Sequence, residues 1–213
     1  MTNLFKKAAV FTDIHFGLKS NSVQHNTDCD NFIDWFIQKA KSENCETCFF
    51  LGDWHHHRAS INLHTLQFSL QGIEKLSQNF DRVFFIPGNH DLYYRDTHEV
   101  NALEEVVRGR YSNIHVYSKP QVINIDGLDI QLMPWITESI RKEAMDAIEH
   151  PRASILMGHL ELNGFTMHRG LISDHGMSRN VFDKFDSVYS GHYHHRSTIG
   201  NVTYIGALGE YTW

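Results

Sequence analysis

The sequence has little of what marks a secreted, membrane-bound or disordered chain. Its three cysteines are odd in number and are not spaced as a disulfide framework, which points to a reducing, cytoplasmic setting. No apolar run approaches the ~20 residues needed to span a bilayer, and no apolar stretch follows the short polar start Met1–Lys7, so neither an anchor nor a secretory signal is expected. Four prolines and fourteen glycines are spread thinly, and nothing reads as a linker, a repeat or a low-complexity tract. Basic residues are scarce as well: 19 against 25 acidic ones, a net charge of −6, and no basic run longer than Lys6-Lys7. That balance argues against a stand-alone nucleic-acid binder. Hydrophobic residues at 41% and charged residues at 21% of the 213 positions exclude a disordered tail, a collagen-like chain and a coiled coil, and one domain over residues 1–213 is expected.

What the sequence does have is histidine, 16 in all, clustered near Asp and Asn. The clusters fall in an alternating pattern of short apolar runs and amphipathic segments. Ala8–Thr12, Cys48–Leu51 and Arg82–Ile86 read as strands. Between them lie a helix around Phe32–Ile37, flanked by Asp30 and Lys39, and a second over Ile61–Leu76 with Leu63, Leu66, Leu70 and Ile73 at helical spacing. Val100–Val107 and Glu138–Ile148 read as further helices, the latter stopping before Pro151. Ile114–Tyr117, Val122–Ile125, Leu128–Met133, Ala153–Met157 and Ser187–Ser190 read as strands. Asp126-Gly127 signals one hairpin, and Thr198–Ile205 folds around Gly200-Asn201 as another. An early βαβαβ run followed by a strand-rich half suggests an α/β fold of two sheets packed face to face with helices outside.

Five polar clusters each follow a strand: Asp13-Ile14-His15, Gly52-Asp53-Trp54-His55-His56, Gly88-Asn89-His90-Asp91, Gly158-His159 and Gly191-His192-Tyr193-His194. Ligand sites in α/β sheets lie beyond the carboxyl ends of strands. An extended backbone would point Asp13 and His15 the same way, and likewise His192 and His194. A glycine directly before the polar residue in four clusters lets the backbone turn or approach a ligand closely. Carboxylate, amide and imidazole donors together suit a hard or borderline divalent metal such as manganese, iron or zinc. Asp13, His15, Asp53, Asn89, His159, His192 and His194 are too many for one tetrahedral zinc. They suit two ions sharing a carboxylate, ~3.5–4 Å apart as in two-metal hydrolases. A lone Asp-x-His at a strand end is commonplace, and Gly-Asn-His-Asp alone could be a turn. Five such clusters in this order are far less easily explained as histidine-rich surface loops.

The series Asp-x-His, Gly-Asp, Gly-Asn-His-Asp, Gly-His and Gly-His-x-His resembles the calcineurin-like metallophosphoesterases over almost the whole chain. The resemblance implies a two-sheet sandwich flanked by helices in four layers, with a dinuclear site at one edge. A narrower set resembles the SbcD-like nucleases, above all the tailed-phage recombination exonuclease subunits: Thr12-Asp13-Ile14-His15-Phe16-Gly17, His56 three residues after Asp53, Pro134-Trp135, Asn163-Gly164 after Gly158-His159, and Tyr204-Ile205-Gly206. By resemblance, Asp13, His15, Asp53 and His194 hold one metal, and Asp53, Asn89, His159 and His192 the other. Manganese is foremost, with iron, zinc or magnesium as alternatives. His90 would be the proton donor, helped by His56 at the substrate phosphate, and Asp91 would orient His90. The implied activity is a DNA exonuclease or endonuclease, the nuclease subunit of a repair or recombination complex with an SMC-like ATPase. The implied homodimer interface lies on the helix Ile61–Leu76 and the one around Val100–Val107. The chain stops at Trp213, where the family's last sheet strands, DNA-capping domain and ATPase-docking segment would follow.

Other features weigh less. Cys45-Glu46-Thr47-Cys48 has the spacing of a redox or zinc pair but no second pair, so one buried and one exposed thiol is the simpler expectation. Of His55-His56-His57 only His56 matches the family position. The leucines of Ile61–Leu76 read most simply as core. Arg58, Arg95, Arg169 and Arg196 are local cations that could meet phosphate, against an ordinary solvated role. The first rival function is a phosphoesterase acting on cyclic nucleotides or other small phosphodiesters. A Ser/Thr phosphatase would carry Asp-Arg-Gly after Gly-Asp, where this chain has His56-His57-Arg58, and Glu in place of Asp91. A metal-free scaffold would have lost ligands, and none is lost here.

Overall fold

The computed structural model describes residues 5, 7–168 and 171–209. Four short apolar strands build the first sheet: β1 (Ala9–Phe11), β2 (Thr47–Phe50), β3 (Arg82–Phe85) and β4 (Ile114–Val116), side by side in that order and all parallel. Parallel neighbours need crossovers, and helices supply them. The single turn α1 (Leu18–Asn21) and α2 (Val23–Ser42) join β1 to β2, α3 (Leu63–Asn79) joins β2 to β3, and α4 (Ala102–Val107) joins β3 to β4. Ser22, Asn62 and Asn101 cap α2, α3 and α4 by accepting a backbone N–H from the first turn. Successive strand residues face opposite ways. Cys48, Phe50, Val83 and Phe85 therefore join Phe11, Ile33 and Ile73 beneath the helices, while Phe49, Leu51, Phe84 and Ile86 face the second sheet.

The second sheet has six strands in the order β11-β12-β10-β7-β6-β5. β5 (Gln121–Ile125) and β6 (Leu128–Met133) form the expected hairpin around Asp126 and Gly127, both at positive φ. A 3-10 turn at Glu138–Ile140 and α5 (Arg141–Glu149) lead to β7 (Ile155–His159), so the expected helix from Glu138 starts one turn late. A small hairpin, β8 (Thr166–His168) with β9 (Leu171–Ile172), follows. β10 (Ser187–Gly191) pairs parallel with β7, and β11 (Ser197–Ile199) with β12 (Val202–Tyr204) makes the last hairpin. Ile123, Ile125, Ile130, Leu132 and Met157 fill the space between the sheets. On the outer face Leu156, Val188 and Tyr204 pack against Ala144, Ile148, Phe182 and Phe185. The layers run helix, sheet, sheet, helix, the α/β two-sheet sandwich that the resemblance implies.

The leucine stripe of α3 is not its most buried face, contrary to the reading from spacing. Leu63 is 83% exposed, and Leu66 and Leu70 are half-buried. The buried line is Thr65, Ser69, Gly72, Ile73 and Leu76. Its polar members serve the polar loops beneath. Ser69 Oγ accepts from Trp54 Nε1 at 2.8 Å and lies 2.8 Å from His55 Nε2. Thr65 Oγ1 accepts from Asn26 Nδ2 and donates to Asn21 Oδ1. Buried polar groups need partners, so the helix places Ser69 against the loop after β2 and Thr65 against Asn21 and Asn26.

Candidate metal centre

The carboxyl ends of β1, β2 and β3 and of β7 and β10 meet at one edge of the sandwich. Asp13 and His15 follow β1, Asp53 and His56 follow β2, Asn89, His90 and Asp91 follow β3, His159 ends β7, and His192 and His194 follow β10. The extended-backbone reading of these spacings does not hold. Asp13, His15 and Asp53 have φ of 52°, 52° and 64°, and His192 has 91°. Non-glycine residues rarely adopt this left-handed region, and such strain gathers at functional sites. Hydrogen bonds hold the kinks: Asp13 N–H to the Gly52 carbonyl at 2.9 Å and His15 N–H to the Asp53 carbonyl at 3.0 Å. Close approach also needs two glycines without side chains. A Cβ on Gly88 would collide with the Asp53 carboxylate, and one on Gly191 with Thr12 Oγ1.

Two donor groups result, beside a further set of ring nitrogens on His15, His56 and His90 that also lie within 4.8 Å of one another. In the first, Asp13 Oδ1 lies 3.7 Å from both His15 Nε2 and His194 Nε2, and those two nitrogens are 3.2 Å apart. Asp13 Oδ2 already accepts from Thr12 Oγ1 at 2.6 Å and from the His192 N–H at 3.0 Å. Asp13 Oδ1 is buried with no hydrogen-bond donor. In the second, Asn89 Oδ1 lies 3.2 Å from His159 Nε2 and 3.1 Å from His192 Nδ1. Asp53 stands between the groups, its Oδ2 3.5 Å from His159 Nε2 and 3.7 Å from His15 Nε2. His159 donates Nδ1–H to the Leu51 carbonyl at 2.6 Å, which leaves Nε2 facing the site. A buried carboxylate oxygen without a donor, converged on by imidazole nitrogens and an amide oxygen, fits divalent cations.

The electrostatics are tightly compensated. Burial holds His15 well below its ordinary value despite Asp53, and burial also lowers His194. Burial would lower His159 as well, but the Asp53 carboxylate prevails and raises it to about 9. Burial opposes ionisation of Asp53, yet the charge and hydrogen bond of His159 keep it well below the usual carboxylate range.

The structure also brings His56 and His90 to this edge. The His90 ring lies 4.9 Å from that of His15 and stacks on His56 at 5.2 Å. Burial and the His90 charge bring His56 down to about 4. Asp91 requires a correction, because it does not orient His90. Its carboxylate accepts the N–H groups of Asp53, Trp54, His55 and Gly88 at 2.8 to 3.2 Å, clamping the loop after β2 against the loop after β3. The His90 ring is oriented instead by the His56 carbonyl. Burial and the Asp53 charge push Asp91 up to about 7, against the pull of the Gly88, His55 and Asp53 N–H groups.

His55 points into the core and His57 outward. Cys48 is buried and Cys45 partly exposed, both free thiols as expected. Arg58 and Arg95 lie close enough for the charge of Arg95 to lower Arg58, after the larger effect of burial. Arg196 is exposed, and Arg169 and Trp213 lie outside the described residues. Two residues at the site went unassigned in the sequence. The Trp135 ring sits 5.0 Å from the His192 ring, and a Glu161 oxygen lies 3.9 Å from His192 Nε2. An acidic residue two positions past His159 was the only available signal for the latter.

The family model of the calcineurin-like phosphoesterases matches residues 6–196. The chain belongs to this family. Exonuclease subunit 1 of Enterobacteria phage T4 is 33% identical over 194 residues, which are 91% of this chain and 57% of that protein. The chain thus spans little more than half the length of this relative. Among solved structures, the Pseudomonas putida nuclease MPE aligns with 88% of this chain and 61% of its own, at 18% identity and a TM-score of 0.44. Among the described residues of this phosphoesterase, no helix is long and apolar enough to cross a membrane.

Proposed function

We propose that this chain is a two-metal DNA phosphodiesterase, an exonuclease or endonuclease working as the nuclease subunit of a repair or recombination complex. The observation that carries the reading is the Asp53 carboxylate, which faces His15 on one side and His159 on the other. Asp13, His15 and His194 would hold one ion with Asp53, and Asn89, His159 and His192 the other. The ions, manganese foremost, would lower the pKa of a water and neutralise charge on the phosphoryl oxygens. The protein's own part is positioning and proton transfer. The alkoxide leaving a phosphodiester is strongly basic and needs a proton. His90 commits its Nδ1–H to the His56 carbonyl, so Nε2 is the atom that carries the proton to the leaving oxygen. His56, stacked on His90, helps seat the phosphate there.

Similarity to an exonuclease subunit supports DNA as the substrate. The shortage of basic residues supports a partner that supplies affinity, which we assign to an SMC-like ATPase. A homodimer through α3 and α4 accords with the exposure of Leu63. Three free cysteines accord with a reducing cytoplasm. The test is incubation with manganese and end-labelled duplex, hairpin and single-stranded DNA beside a panel of cyclic nucleotides. Metal-dependent DNA cleavage is expected, abolished by EDTA. Turnover of cyclic nucleotides alone would transfer the site to small phosphodiesters.

A further inference from the structure

We propose that the cavity beside His159 and His192 is a subsite for a single nucleoside, with the Trp135 indole as its stacking platform. The proposal rests on the phosphodiesterase reading and adds which part of the substrate lies where. The cavity measures about 230 Å³ and is walled by Trp135, Ile136, Arg141, His159, Glu161 and Met177. Sites for drug-sized ligands run from roughly 300 Å³ upward, so this one has room for about one base with its sugar.

Trp135 is half-buried, and its backbone is fixed on both sides. Its N–H donates to the Pro87 carbonyl at 3.0 Å, and its carbonyl accepts from His98 Nε2 at 2.7 Å. The indole lies 5.0 Å from the His192 ring and 6.0 Å from the His159 ring, so a base stacked on it would be next to the metal ligands. Arg141 and Glu161 add a cation donor and a carboxylate acceptor to the cavity's lining. An aromatic platform with polar groups beside it takes a base of any identity, because every base has a π-face.

The direction of cleavage follows. His90 stands beside His15, a member of the other donor group, and stacks on His56. The oxygen that leaves phosphorus and takes the His90 proton is therefore on that side. The nucleoside on Trp135 is the one that stays bonded to phosphorus. Water supplies the new oxygen on phosphorus, the bond to the leaving oxygen breaks, and the Trp135-bound portion departs as a mononucleotide.

Two esters test this, thymidine 5′-(4-nitrophenyl) phosphate and methyl 4-nitrophenyl phosphate. They share a leaving group and differ only in what stays on phosphorus. Wild-type protein loaded with manganese is expected to prefer the thymidine ester. Trp135→Ala should cut the ratio of the two kcat/KM values by about 10-fold, chiefly through KM, since stacking one base is worth about that factor. Trp135→Phe should restore most of the ratio. An unchanged ratio in Trp135→Ala, with wild-type melting temperature and metal content, would overturn the subsite. Should Trp135→Ala fail to fold, the wild type still decides. Thymidine 5′-monophosphate must inhibit methyl ester cleavage more tightly than inorganic phosphate, and equal inhibition contradicts the proposal. Cleavage of the methyl ester without preference for the thymidine ester sinks the subsite alone. Cleavage of neither ester, nor of DNA, sinks the phosphodiesterase reading and the subsite with it.

Discussion

His90 donates its Nδ1 hydrogen to the backbone carbonyl of His56 at 2.7 Å. The contact crosses from the loop after β3 to the loop after β2 and sets which ring nitrogen faces the chemistry. His90 belongs to neither trio of metal-facing donors around Asp13 or Asn89, so its removal should separate proton transfer from metal binding. His90→Gln is expected to keep wild-type metal content and to lose phosphodiester cleavage by about 10²–10⁴. A nitrophenyl phosphodiester, whose leaving group needs little protonation, should suffer less. Equal losses on both substrates would contradict the proton-donor role.

The five polar clusters were legible in the sequence because each sits directly behind an apolar run, and strand ends gather by topology. Their backbone geometry was not. Positive φ at Asp13, His15, Asp53 and His192 is imposed by tertiary hydrogen bonds, which local spacing does not encode. The role of Asp91 was misread for a related reason. A side chain next in sequence to His90 turns away to meet four backbone N–H groups, three of them from a loop almost forty residues earlier. The buried face of α3 was hidden because its partners are polar, so Thr65 and Ser69 are buried while Leu63 is not. The hairpin of β8 and β9 is too short to show a period, and both residues of β9 are exposed.

Asp91→Ala would leave four backbone donors around a buried void. An unsatisfied buried donor costs about 1–3 kcal/mol. The variant is therefore expected to lose more than about 3 kcal/mol of stability, beyond what a surface change produces. Thermal or urea unfolding measures it. A loss under about 1 kcal/mol would mean that the clamp between the two loops is not formed in solution.

Acid should weaken the metal-free protein through its buried histidines. Burial holds His98 and His25 below their ordinary value, and it brings His55 down to about 3. A folded-state value below the unfolded one contributes stability above the unfolded value, near 6.5, and loses it as the pH falls below that point. These three histidines should lower the melting temperature in EDTA from pH 6.5 downward, against a gain from Asp91, held near 7, while His159, raised to about 9, should make it fall again as the pH rises through 9. His98→Asn should make the fall on the acid side shallower. An identical slope in the variant would remove His98 from the account.

Isolated protein should bind DNA weakly and cut it distributively. With 19 basic against 25 acidic residues, phosphate contacts should be few and should rest on cations such as Arg58 and Arg95. Binding should fall with added salt with a shallow slope, set by those few contacts. A salt series of binding and cleavage checks this. Nanomolar duplex binding at physiological salt, or processive degradation, would show that the affinity is built into this chain.

The central claim is that one carboxylate joins two metal sites, and metal analysis of purified Asp53→Ala tests it most directly. Asp53 faces both donor groups, so the variant should lose both ions together while a folded control, Trp135→Phe, retains them. Retention of one full equivalent of tightly bound metal by Asp53→Ala would contradict the shared carboxylate.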